Sequence, residues 1–308
     1  MEVITQPDII ASGTTVATIG MFDGVHRGHA MLIGFLNETA RKRNLKSAVI
    51  TFKEHPQQVL YPNSGIQMLM TLDERLEAIK QLGVDYIVLM DFNIRLSSLS
   101  SANYIQFIRD HYGVSILITG FNHRFGHNRA EDFNDYRQHG LELGVELIQA
   151  NEYHGIYSPV SSSIIRKLIM AGKVDDAANC LGRTFKLEGT VEHGFEIGHS
   201  IGFPTANVGN INPTLVIPHR GAYAVRVTIE DGRTLGGMAN IGTRPTLGNG
   251  SKQSIEVHIF DFNDNIYGQR ITVEFVKFLR TETKMSSIEE LKHQLEEDRT
   301  RSKQILGM

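Results

Sequence analysis

"ATIGMFDGVHRGHAMLIGFLNETA" (residues 17–40) runs from a short apolar stretch into a Gly-rich turn, with His26 and His29 flanking Gly28 where a helical pattern begins. Strand, glycine turn and helix in that order predict the first β–α connection of a parallel sheet. In open α/β sheets, ligands bind beyond the carboxyl ends of the strands, and the first strand–helix turn is a favoured place. Gly20, Gly24 and Gly28 allow the backbone to approach a ligand, and the helix N-terminus offers unpaired N–H groups to an anion. Imidazoles at that mouth would place donors on a phosphate as charge builds up in a transition state. From these residues alone, a turn carrying two surface histidines is the plainer alternative.

Outward from this stretch, the same texture repeats as far as residue 183. "KSAVITF", "DYIVLM", "VSILITG" and "GVELIQA" are short and rich in β-branched residues. Amphipathic segments lie between them, such as "TLDERLEAIKQLG", in which Thr71 and Glu74 have capping-box spacing. Strands alternating with helices imply a parallel sheet covered on both faces. After Arg183 the pattern changes to strands and turns: "FKLEGTVEHG", "GAYAVRVTIEDGRTLGGMANIG" and "SIEVHIFDFNDNIYGQRITVEFVKFLR". Asp231-Gly232 between alternating runs signals a hairpin. This half reads as an antiparallel barrel or sandwich closed by a final helix, "SSIEELKHQLEEDR", with Ser286 and Glu289 at capping-box spacing. The fold class is therefore α/β plus all-β, with domains at 1–183 and 184–308.

Composition sets limits on function. The chain has 308 residues, 41% of them hydrophobic and 21% charged, which suits a soluble protein with a substantial core. A formal charge of −3 argues against an electrostatic nucleic-acid binder. The single cysteine, Cys180, cannot form an internal disulfide, so a reducing, cytoplasmic setting is expected. "MEVITQPDII" lacks the basic-then-apolar order of a signal peptide, and no run approaches the roughly 18 apolar residues of a membrane span.

"GMFDGVHRGH" resembles the H-x-G-H signature of nucleotidylyltransferases, in the version of bacterial bifunctional riboflavin kinase/FAD synthetases. Further segments are similar to that family in the same order: "TFKEHP" at 51–56, "GFNHRFGHNRAED" at 120–132, "SSSIIR" at 161–166, "GFPTANV" at 202–208, "ANIGTRPT" at 239–246 and "EVHIFDF" at 256–262. The resemblance covers nearly the whole chain. It implies a Rossmann-like N-terminal domain that transfers AMP from ATP to FMN and releases pyrophosphate, and a C-terminal barrel that phosphorylates riboflavin.

In the first domain, the resemblance makes His26, His29 and Arg166 catalytic, with Arg166 a cationic fork for the β- and γ-phosphates. Gly20, Phe22, Gly24, Gly28, Asn122, Ser162 and Ser163 would bind nucleotide, although Ser162 and Ser163 are also natural N-caps for "IIRKLIMAG". Phe52, His55, Arg124 and Phe125 would contact the flavin. In the second domain, Thr205 and Asn207 are two residues apart, so in a strand both face one way and could share an ion. Oxygen ligands of that kind suit Mg²⁺ bound to ATP phosphates. Gly202 and Pro204 would shape the nucleotide turn, and Glu256 would take the proton from the 5′-hydroxyl of riboflavin. In the alternating strand, Glu256 and His258 share one face while Val257 and Ile259 take the other.

Departures from the family pattern are few: Ser163 where Thr is commoner, Asn122-His123 where many relatives have Asp-Phe, Lys53-Glu54 before His55, and His199 in place of Arg. The rival readings are a monofunctional FMN adenylyltransferase with a decayed barrel, a non-catalytic flavin-binding protein, and an oligonucleotide-binding barrel. Intact Thr205, Asn207 and Glu256 oppose the first, and the presence of both His26 and Glu256 opposes the second. Too few interleaved aromatic and basic residues oppose the third. The expected partners are riboflavin, FMN and ATP, with no nucleic acid and no membrane. The sequence does not fix an oligomeric state.

Overall fold

The computed structural model describes residues 2–6, 10, 13–121, 123–127, 131–155, 157–193, 201–245, 251–283 and 285–308. The chain divides into two compact units, Met1–Ser162 and Ser163–Met308.

The first unit contains β1 (Glu2–Ile4), β2 (Thr15–Ile19), α1 (Arg27–Arg43), β3 (Lys46–Phe52), α2 (Pro56–Leu60), α3 (Leu72–Gln81), β4 (Tyr86–Met90), α4 (Ile94–Ser97), α5 (Ser101–Tyr112), β5 (Val114–Thr119), α6 (Phe133–Leu143) and β6 (Glu146–Gln149). Six strands form one parallel sheet in the order β1-β4-β3-β2-β5-β6. Alternate side chains feed two cores. Ala17, Ile19, Ala48, Ile50 and Val88 enter one, whereas Val16, Val49, Ile87, Ile116 and Ile118 enter the other. Burial on both faces explains why these strands read as continuous apolar runs. Helix α1 lays Leu32, Ile33, Leu36 and Ala40 on the sheet, and Arg41, Lys42 and Arg43 complement the negative end of its dipole. The capping box expected at Thr71 and Glu74 is present at the start of α3. β1 went unread in the sequence because three residues, two of them exposed, carry no periodicity.

From β2 the chain builds outward through β3 to β4, then returns to place β5 on the other side of β2. The strand order thus reverses between β2 and β5, and ligands of open α/β sheets bind beyond the carboxyl ends of the strands at such a switch point.

Helices α7 (Ser162–Met170) and α8 (Val174–Leu181) follow, then β7 (Phe185–Glu192), β8 (Ala206–Gly209), β9 (Gly221–Thr228), β10 (Thr234–Pro245), β11 (Ser251–Ile259), β12 (Arg270–Arg280) and α9 (Ile288–Leu306). The six strands close into an antiparallel barrel in the order β10-β11-β8-β7-β12-β9, with β9 paired to β10. Of the two architectures left open by the alternating pattern, the barrel is the one formed. Gly232 turns the β9–β10 hairpin with φ +89°, as its Asp-Gly signal implies. Helix α9 packs on β9, β10 and β12. Its N-cap is Ser287, which accepts from the Glu290 N–H at 3.1 Å, one residue later than the spacing of Ser286 and Glu289 suggested. The Glu290 carboxylate accepts from the Ser286 N–H at 2.7 Å, so the reciprocal contact reaches one residue further back. Helix α8 buries Val174, Ala177, Cys180 and Leu181 and packs on β7 and β12. Packing thus groups α8 with the barrel, although the change of periodicity lies after it.

Candidate active sites

The turn between β2 and α1 is strained and heavily braced. Phe22, Gly24 and Val25 have φ of +52°, +80° and +35°. Positive φ is uncommon for side-chain-bearing residues and unusual for a β-branched one. Neighbouring groups hold the backbone there. Thr51 Oγ1 donates to the Met21 carbonyl at 3.2 Å. The buried Asp23 carboxylate accepts from the Leu69 N–H at 3.0 and 3.2 Å. Ser162 Oγ donates to the Asp23 carbonyl at 2.8 Å, which joins the first turn to a motif 139 residues away. That hydroxyl lies inside the first turn of α7, so Ser162 braces the β2–α1 turn rather than preceding its own helix as a cap.

Strain of this kind concentrates at functional sites, and here it aims two imidazoles. His26 is the N-cap of α1, and its Nδ1 accepts from the His29 N–H at 3.3 Å. An accepting Nδ1 leaves the ring proton on Nε2, which makes neutral His26 a donor at that atom. The two rings stack with centroids 3.6 Å apart and 17° between planes. A Cβ at Gly28 would lie 3.2 Å from His26 Cε1 and Nδ1, so glycine keeps this stack uncrowded. Burial pushes the His29 pKa well below its ordinary value, and the neighbouring His26 and His123 add to the shift. His29 Nδ1 is buried and has no hydrogen-bond partner among the described residues.

Arg75 and Asp23 escaped the sequence reading. Arg75, 2% exposed, reaches from α3 to donate to the carbonyls of Met21 and Phe52, tying together the chain just beyond β2 and the end of β3. Burial lowers its pKa to about 10, opposed by the Asp23 charge. An arginine in an ordinary helical pattern gives no sign of such long-range bonds.

The remaining residues singled out in the sequence are distributed as follows. His55 caps α2, with Nδ1 accepting from the Gln57 N–H at 3.1 Å, and Arg124 is exposed. Phe52 and Phe125 are 7% and 8% exposed. Their rings pack on Phe92 and on Tyr136 and Tyr104, so both lie in the core rather than on an open face. Asn122 and His199 lie outside the described residues. Arg166 is half-buried on α7, one helical turn beyond Ser162, and its Nη1 donates to the exposed Ser163 hydroxyl at 3.4 Å.

In the barrel unit, the two faces of β11 serve two cavities. Val257 and Ile259 line one of about 240 Å³, together with Pro204, Thr205, Ile266 and Tyr267. Glu256 and His258 line the other, of about 320 Å³, together with Thr205, Arg280, Glu282 and Leu291. Thr205 borders both. The alternation expected along this strand is therefore realised. Gly202, with φ +84°, and Pro204 precede Thr205 in the turn leading into β8. Asn207, 8% exposed, stands opposite Glu256 in the β8–β11 ladder. Among the described residues no group of three or more His, Cys, Asp or Glu is placed to hold a metal. The groups at this turn that could hold a metal are the Thr205 hydroxyl and the Asn207 amide oxygen, and hard oxygen ligands of that kind fit a partly hydrated Mg²⁺.

Two further pairs at the second cavity were not anticipated. Arg280 binds both oxygens of the buried Asp298 at 2.8–3.1 Å and fixes α9 to β12. Asn240 Nδ2 donates to Glu282 Oε1 at 3.3 Å. Both depend on pairings across 18 and 42 residues that spacing does not reveal.

A parallel sheet with a histidine-capped first helix and a closed antiparallel barrel bordered by two cavities define a two-unit protein of the α/β plus all-β class. The comparisons narrow this class. A family model described as FAD synthetase matches residues 9–164, and one described as riboflavin kinase matches residues 181–306. The chain is 36% identical to the bifunctional riboflavin kinase/FMN adenylyltransferase of Escherichia coli K12, over 95% of this chain and 93% of the relative. The proteins of that name from Pseudomonas fluorescens and Bacillus subtilis are 38% and 34% identical, each over 92% of this chain and 90% of the relative. A crystal structure from Streptococcus pneumoniae, described as a macrolide-efflux protein, superposes with a TM-score of 0.86 at 30% identity and 98% coverage of both chains. No described helix of the present chain is long and apolar enough to cross a membrane. The chain belongs to the bifunctional riboflavin kinase/FMN adenylyltransferase family.

Proposed function

We infer that this one chain phosphorylates riboflavin to FMN and then adenylylates FMN to FAD, using ATP in each step. The observation that carries this reading is the match of its two halves to FAD synthetase and riboflavin kinase in turn. We put the functional boundary near residue 183, just ahead of β7.

In adenylyl transfer, a phosphate oxygen of FMN attacks the α-phosphorus of ATP and the bond to pyrophosphate breaks. No covalent enzyme intermediate is needed, so catalysis is positioning and charge stabilisation. His26 donates from Nε2, and His29 beside it is the second donor to the α-phosphoryl oxygens. Gly20, Phe22, Gly24 and Gly28 bring the backbone close to the nucleotide, with Asn122, Ser162 and Ser163 as further contacts and Arg166 taking the outer phosphates. His55, Arg124, Phe52 and Phe125 are the proposed flavin contacts, the two phenylalanines acting from within the core.

In riboflavin phosphorylation, the Glu256 carboxylate takes the 5′-hydroxyl proton as that oxygen attacks the γ-phosphorus and ADP departs. The position of Thr205 between the two cavities supports this reading, because the γ-phosphate must pass from a nucleotide site to a flavin site. Gly202 and Pro204 shape the turn. Thr205 and Asn207 would hold Mg²⁺, whose chemistry is to neutralise phosphate charge.

The test is a time course with riboflavin and ATP, with Mg²⁺ or with a chelator. FMN appearing before FAD, and neither in chelator, is expected. FAD from supplied FMN but no FMN from riboflavin would return the decayed-barrel reading.

A further inference from the structure

The segment "EVHIFDF" contains a histidine that neither step has used. His258 is 9% exposed and projects from β11 on the Glu256 side. Its Nδ1 lies 2.8 Å from the Pro204 carbonyl oxygen. A carbonyl only accepts, so Nδ1 carries the proton, and it does so whether the ring is neutral or charged. The ring is set edge-on against Phe203, at 5.3 Å and 62°, and against Phe260, at 5.8 Å and 66°. These contacts fix the ring plane and hence the direction of its N–H.

The place of this bond in the barrel gives it a purpose. The ladder between β8 and β11 has only two registered pairs, Asn207 with Glu256 and Ala206 with Val257. One step further, opposite His258, the chain turns away through Thr205 and Pro204, and proline has no N–H to continue a ladder. Main-chain pairing therefore ends just before the residue that borders both cavities. The side chain of His258 takes over from it, holding the carbonyl of the residue immediately before Thr205.

We propose that His258 is a positioning residue for riboflavin phosphorylation: its Nδ1–H grips the Pro204 carbonyl and so fixes the turn that sets Thr205 between the two cavities. The proposal rests on the reading of that turn as the phosphoryl-transfer site. It differs from a packing role for the ring in a way that substitutions separate. His258→Phe keeps an aromatic ring between Phe203 and Phe260 but removes the donor. His258→Asn loses ring volume but places an amide N–H near the position of Nδ1.

The experiment uses the full-length chain and measures kcat and KM for ATP in riboflavin phosphorylation at saturating Mg²⁺, with FAD formation from supplied FMN as the internal control. Thr205→Ala is assayed alongside. Misplacement of a reacting group by about 1 Å costs roughly 10²-fold, so His258→Phe should lose about that much of kcat/KM, largely through KM for ATP. His258→Asn should recover most of it, and FAD formation from FMN should hold in both variants. The proposal is overturned if the Phe variant is active and the Asn variant is not, because packing is then the requirement. A parent-like His258→Phe protein beside an impaired Thr205→Ala protein also overturns it, while leaving the site reading intact. Parent-like kinetics in Thr205→Ala would remove the turn from the phosphoryl site, and the role of His258 with it.

Discussion

Glu256 and Asn207 face one another directly across the β8–β11 ladder, and Asn207 faces Glu192 on its other side. The proposed base and a proposed metal ligand are therefore cross-strand neighbours on one rigid wall. Their positions alone do not tell which does which work.

Substitution separates them. Glu256→Gln preserves shape and most hydrogen bonds but removes proton affinity. It should slow riboflavin phosphorylation by roughly 10²–10⁴-fold, the size of a general-base contribution, with little change in KM for ATP. Asn207→Ala should instead raise the Mg²⁺ requirement, and extra Mg²⁺ should restore part of the rate. Steady-state assays across a Mg²⁺ series check both; a parent-like Glu256→Gln rate would leave the hydroxyl to be activated by position and metal alone.

His29→Ala should cut FAD formation from FMN by about 10²–10³-fold, as loss of a preorganised donor does. FMN formation from riboflavin should be largely unchanged, because His29 lies in the first turn of α1 and every proposed kinase residue lies in the second unit. The ratio of the two rates in one preparation is the measurement, and equal loss of both would contradict separate sites.

The depressed pKa of His29 has a consequence for stability. Burial keeps the folded-state ring neutral, while the unfolded chain takes up a proton near the ordinary histidine value of about 6.5. Between the folded and unfolded values the unfolded state binds more protons, so stability rises with pH through that window and is lost as pH falls below about 6.5. Denaturant unfolding of the N-terminal unit from pH 7.5 to 5 should show this slope, and His29→Asn should reduce it.

Much of this was legible in the sequence, and the exceptions have physical causes. The strands of the parallel sheet announced themselves because burial on both faces forces continuous apolar runs, as in "KSAVITF". β11 did so because its two faces serve two cavities. The Gly28 and His26 arrangement could be read because it is local, spanning one helical turn. Arg75, Asp298 and the Ser162–Asp23 bond could not, since each is defined by a partner far along the chain. The burial of the Phe125 ring in the core was not legible for a related reason, since its stacking on Tyr136 is a tertiary contact. Closure of the barrel depends on β9 meeting β10 and β12, a choice that alternation alone leaves open.

The unit boundary offers a test of folding against function. A fragment of residues 184–308 should retain riboflavin phosphorylation, because the proposed kinase residues all follow that point. A fragment beginning at residue 163 should melt at a higher temperature, since α8 buries Val174, Ala177 and Leu181 against the barrel unit. Each such side chain contributes about 1–3 kcal/mol when buried. Differential scanning fluorimetry with a parallel kinase assay checks both, and an inactive 184–308 fragment that is still folded would move the functional boundary toward the N-terminus.

One chain that uses ATP twice breaks a different phosphate bond each time, and labelled ATP distinguishes the two most directly. Full-length protein is incubated with riboflavin and Mg²⁺, and with ATP labelled at either the γ- or the α-phosphate. γ-Label should enter FMN and be retained in FAD, while α-label should enter FAD alone, with unlabelled pyrophosphate released alongside it. Label from the γ-phosphate missing from both flavins, or α-label missing from FAD, would contradict it.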